Sequence, residues 1–133
     1  FGALSNSSLI AVVKDNVFES PTLHGLDFLT SASATSLLYV LNNTGSYSAS
    51  ESGTPFYFAV STTSPLSASS TLSLENNVAN SDGYFLSNGT GSTFNVVSSD
   101  FTITSVEAEN SGTITTSGII TFISPPSSIP EIE

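Results

Sequence analysis

Apolar residues in this 133-residue chain come in short blocks separated by Ser, Asn, Gly and Pro. Ser8–Lys14 reads Ser-Leu-Ile-Ala-Val-Val-Lys. It is too short for a helix and apolar on both alternating faces, so it predicts a strand buried on both sides. Thr35–Leu41 has the same character, and Pro55–Ser61, the most aromatic block, predicts a central strand. Leu23–Leu29 sets Leu23, Gly25, Asp27 and Leu29 against His24, Leu26 and Phe28. Ser70–Leu74, with Leu72 and Leu74 inward, Tyr84–Ser87, Thr93–Ser98 and Phe101–Val106 continue the series. Thr113–Thr116 and Ile119–Ile123 read as one strand bent at Gly118, or as two.

Turn signals punctuate these blocks. Asn88-Gly89-Thr90-Gly91 predicts a hairpin turn. Asn42–Gly53 and Glu75–Gly83 read as loops, and Pro65 breaks Thr62–Ser69. Ala32–Leu38 is the only helical candidate, and its β-branched neighbours oppose it. No internal repeat stands out. The expected fold is all-β, a single jelly-roll or Ig-like β-sandwich of about nine short strands. Residues 1–14 are expected to form an N-terminal donor-strand tail, 15–124 the sandwich, and 125–133 an extended tail with Pro125, Pro126 and Pro130.

Composition narrows the function classes. Hydrophobic residues make up 38% of the chain, enough to exclude the disordered class. Lys14 is the only basic side chain against eleven acids, a net charge of −10. Nucleic acid and anionic membrane surfaces are therefore not expected partners. There is no Cys, and no apolar run long enough for a membrane span. Phe1 in place of Met fits a mature secreted chain, so an extracellular location is expected.

Catalytic chemistry is sparse. His24 is the only candidate base for a nucleophile, and a lone His on a strand is ordinarily structural. Glu107 and Glu109 share one face of an extended segment, which suits a solvated strand end better than a glycosidase pair. The chain is not expected to be an enzyme. Asn76, Asn77, Asn80 and Asp82, ending at Gly83, offer calcium-type oxygen ligands, though a plain turn is the simpler reading. Tyr39, Tyr47, Tyr57 and Tyr84 would suit a sugar platform, but aromatics spread over separate strands are ordinarily core. Three N-glycosylation sequons begin at Asn6, Asn42 and Asn88.

The apolar strand near the chain start carries the functional expectation. Leu9, Ile10, Ala11, Val12 and Val13 would complete a groove in a neighbouring copy by donor-strand addition. Head-to-tail donation does not close on itself and gives a helical homopolymer. An apolar strand within the first fifteen residues, a Ser/Thr/Asn-rich β-domain with sequons and no Cys together resemble the subunits of archaeal extracellular filaments, the thread and bundling-pilus proteins. They are also similar in architecture to the TasA-like subunits of bacterial biofilm fibres, and Asn16–Leu23 resembles the entry into the first domain strand of that group. The resemblance implies a jelly roll that donates its N-terminal strand to the next subunit, with a role in adhesion or biofilm. The alternatives are a secreted carbohydrate- or cell-surface-binding module and a viral coat jelly roll.

Overall fold

The computed structural model describes residues 2–19, 26–46, 58–62, 68–79, 83–111 and 113–125. The first turn of chain holds β1 (Gly2–Ala3), β2 (Ser8–Lys14) and β3 (Val17–Glu19). The second holds β4 (Leu26–Thr30), β5 (Thr35–Leu41) and β6 (Thr44–Ser46). The third holds β7 (Phe58–Thr62), β8 (Ser69–Glu75) and β9 (Val78–Ala79). Then follow β10 (Tyr84–Asn88), β11 (Thr93–Val97), a short helix α1 (Ile103–Glu109), β12 (Ile114–Ser117) and β13 (Thr121–Ile123).

Each strand pairs with its counterpart one turn away, and every pairing is parallel. Three sheets result: β1-β4-β7-β10-β12, β2-β5-β8-β11-β13, and β3-β6-β9. The chain is a β-solenoid of about three turns, not the expected jelly-roll or Ig-like sandwich. Each turn buries its apolar face only by stacking on its neighbours. The register runs Ser8, Thr35, Ser69, Thr93 down the second sheet.

Side-chain alternation then builds the core. Ala11, Leu38, Leu72, Val96 and Phe122 form one inward row, and Val13, Val40 and Leu74 form another. Leu26, Phe28, Tyr84, Leu86 and Ile114 face them from the first sheet. Leu72 and Val96, in the middle of the stack, are fully buried. Leu9, Ala11 and Val13 on β2 are only half-buried, because no described strand lies on their outer side.

Several expectations are corrected at this level. Ser8–Lys14 is a strand, but it pairs along its whole length with β5 of its own chain. Residues 2–14 thus belong to the first turn of the solenoid rather than to a detached donor tail. Asn88–Gly91 makes no hairpin: β10 and β11 lie in different sheets, and the turn is a corner between them. Phe101–Val106 is not a strand. Thr102 caps α1, its side chain accepting from the Ser105 N–H, and Val106 is the helix residue turned into the core. At Gly118, with φ of +77°, an added Cβ would run into the Asn88 carbonyl, so the β12–β13 corner needs glycine to stack on the corner beneath it.

Period-two alternation is identical in antiparallel and parallel strands, which is why the pattern alone favoured the commoner sandwich. The distinguishing signal is a repeat. Asp15-Asn16, Asn42-Asn43 and Asn76-Asn77 each follow a strand of the second sheet. Their separations of 27 and 34 residues are unequal, which conceals the period.

Candidate functional site

The corner leaving the second sheet carries the most organised chemistry among the described residues. Its first residue is left-handed in each turn: Asp15 at φ 58°, Asn42 at 55° and Asn76 at 55°. Asp and Asn tolerate this conformation better than other non-glycine residues. The turn aims the following Asn side chain into the stack. Asn43 Nδ2 donates to Asn77 Oδ1 at 3.0 Å, and Asn77 Nδ2 to Asn110 Oδ1 at 2.9 Å. Asn16 Nδ2 donates to Asn43 Oδ1 at 3.0 Å. The backbone N–H of each donating Asn bonds the same Oδ1.

This asparagine ladder has a direction. Each rung donates toward the C-terminal end and accepts from the N-terminal side. The remaining Nδ2 capacity holds the strands: Asn77 also donates to the Val40 and Glu75 carbonyls, and Asn43 to those of Val13 and Leu41. Asn43 and Asn77 are buried, and no described buried side-chain polar atom lacks a partner. The interior is therefore polar at this corner without an energetic penalty for unmet bonds.

The ladder ends differently at its two ends. At the last rung, α1 intervenes: Asn110 N–H donates to the Glu107 carbonyl, and its Nδ2 to Val106 and Leu74. Ser111 then continues the third sheet by a parallel bridge to Val78. At the first rung, Asn16 is exposed, and no described strand lies on its N-terminal side to donate to Oδ1.

A second polar column, of hydroxyls, marks the opposite corner. Thr30 Oγ1 and Ser36 Oγ are 2.6 Å apart, and Ser36 donates to Ser70 Oγ at 2.8 Å, all buried. Burial holds the Tyr84 phenol above its ordinary range, so it remains a donor to the Ser111 carbonyl at 3.1 Å. Asp100 lies below its ordinary value because the Ser105 and Thr102 side chains hydrogen-bond its carboxylate, with further help from the Thr102 backbone and Ser98.

The residues singled out by sequence are distributed as follows. Asn77, proposed as a calcium ligand, has its Oδ1 and Nδ2 engaged in the ladder, which leaves a cation no place there. Asn80 and Asp82 lie outside the described residues, as do His24, Tyr47 and Tyr57. Among the described residues no group of three His, Cys, Asp or Glu side chains stands close enough to hold a metal. Glu107 and Glu109 lie on α1, where two-residue spacing turns them apart, and Glu107 accepts from the Ile114 N–H. Tyr39 and Tyr84 are each fully buried, in different sheets, and form no platform.

The three sequons also differ. Asn6 is exposed in the β1–β2 connection. Asn42 is the left-handed corner residue, and its Nδ2 donates to Asp15. Asn88 Nδ2 donates to the Ser92 and Ile119 carbonyls. A shallow cleft of about 250 Å³ brings Glu75 and Glu109 near Ser98 and Pro125. No described helix is long and apolar enough to cross a membrane. No protein-family model, curated protein or solved structure matches this chain.

Proposed function

We propose that this chain is a structural β-solenoid element of an extracellular filament or surface fibre, joined to its neighbours turn upon turn. The observation that carries this reading is the open outer edge of β2. That strand is seven residues long, pairs on one side only among the described residues, and leaves Ile10 half exposed beside it. A long unpaired edge templates further strands unless it is blunted. The polar interior supports the same reading, since ladder bonds between successive turns give a solenoid axial stiffness.

Joining by edge stacking replaces strand donation in this proposal, because β2 stays in its own sheet. Charge sets the conditions. A body of −10 repels its copies at low salt, and screening shortens that repulsion to about 10 Å at 0.1 M. Immuno-electron microscopy of native material tests the proposal. Antibodies to this chain should decorate extracellular fibres at a regular axial interval. Labelling confined to dispersed protein or to the cell interior overturns it.

A further inference from the structure

Of the three sequons, two are tied into the fold and one is not. Between Asn42 and Thr44 stands Asn43, a buried rung of the ladder. Thr44 is paired with Val17 on one side and Val78 on the other, and the Asn42 amide donates to Asp15 at 3.2 Å. Pulling this sequon off the surface would break the ladder. The Asn88 amide donates to the Ser92 carbonyl at 3.1 Å and the Ile119 carbonyl at 2.7 Å, which ties the β10–β11 corner to the β12–β13 corner. Asn6, Ser7 and Ser8 are all exposed, and among the described residues nothing hydrogen-bonds the Asn6 amide.

This openness does not depend on the sequon's place in the first turn. Ala3 pairs with Thr30 and Ser8 with Thr35, so the first two corners are equal in length and Asn6 stands over Ser33. The left-handed bend at Ser5, φ 55°, recurs at Ala32, φ 56°. Ser33 and Thr35 have the first turn stacked on them and are still exposed. At the β10–β11 corner the corresponding Gly91 and Thr93 are exposed as well. These two positions point out of the stack in each of these turns, so a further turn laid on the first would leave Asn6 and Ser8 open.

We infer that Asn6 is the N-glycan acceptor of the folded chain, and that Asn42 and Asn88 are closed to transfer. An acceptor needs a carboxamide nitrogen and a hydroxyl two residues on, here Asn6 and Ser8, both within reach of an enzyme. The donor is an oligosaccharide linked to a lipid diphosphate. Asn6 Nδ2 forms a bond to the first sugar carbon, and the bond from that carbon to the diphosphate oxygen breaks. The lipid diphosphate leaves, and one Nδ2 proton passes to the enzyme's base. The glycan then projects from the β1–β2 corner and leaves the asparagine ladder intact. The inference goes beyond the fibre reading and does not need it.

The folded protein is the test substrate. It is incubated with solubilised microsomal oligosaccharyltransferase and a lipid-diphosphate-linked oligosaccharide, beside three short peptides that each carry one sequon. Peptide mapping by mass spectrometry should find the added sugar on all three peptides but at Asn6 alone in the protein. Ser8→Ala should abolish transfer to the protein, and Ser8→Thr should retain it. Ser8 is exposed, so circular dichroism of both variants should match the parent. Sugar at Asn42 or Asn88 of the folded protein, or none at Asn6, overturns the inference. Transfer to the Asn6 peptide alone also overturns it, because local sequence rather than the fold would then select the site. Modified Asn6 without labelled fibres overturns only the fibre reading, and labelled fibres without transfer to Asn6 overturn only the acceptor assignment.

Discussion

The two corners of the second sheet are both polar inside, yet they are built from different chemistry. At the entry corner, Ser36 bonds the Thr30 hydroxyl of its own turn and donates to Ser70 of the next. At the exit corner, each interior asparagine bonds the rung below and two strand carbonyls besides. A hydroxyl column fills space and satisfies itself. An amide column also fixes the backbone, because Asn offers two donors and an acceptor in one plane. The exit corner is therefore the one that sets register between turns.

The largest expected effect comes from removing an interior rung. Asn77→Ala leaves Asn43 without its acceptor and removes both bonds to the strand carbonyls. The expected loss is about 3–5 kcal/mol in denaturant unfolding. A loss below about 1 kcal/mol would mean that water replaces the rung and that the ladder does not set register.

Ser36→Ala tests the other corner. It removes the central hydroxyl, with an expected cost of about 1 kcal/mol. A cost equal to that of Asn77→Ala would erase the distinction between the two corners. Asn16→Ala separates an end rung from an interior one. The residue is exposed and its two Nδ2 bonds compete with water, so a cost under about 1 kcal/mol is expected in the same assay.

The smallest effect concerns the helix that replaces the ordinary corner between β11 and β12. Asp100 accepts from Thr102 and Ser98, next to the Thr102 cap. Its folded pKa lies below the ordinary value of 3.8, so its contribution is fully present above that value. The contribution is lost as pH falls through the folded pKa. Amide exchange at Thr102 and Ser105 should quicken below that point while β8 and β11 remain protected. Unchanged exchange across this range would show that the cap holds α1 without the carboxylate.

Strand positions were legible because alternation is local. Ser8–Lys14 and Thr35–Leu41 match their blocks residue for residue. The helix was not legible, because Ile103 and the β-branched residues around it carry strand propensity, and only the Asp100–Thr102 cap and the burial of Val106 against the stack favour α1. Of the ladder asparagines, Asn77 alone was read as a loop ligand, since an exposed turn and a buried ladder use the same residue pair. The Asp-Asn and Asn-Asn recurrence was visible, but it identifies a ladder only once the turns are superposed.

By itself the sequence determined that the chain is made of short strands, that Lys14 stands alone against eleven acids, and that no thiol chemistry is present. Those properties depend on each residue and its immediate neighbours. The tertiary structure alone decided that the strands run parallel and that Asn16, Asn43, Asn77 and Asn110 stand in one column. Each of these depends on which residue lies one turn away. Loops of unequal length set that distance, and alternation along a single strand carries no information about it.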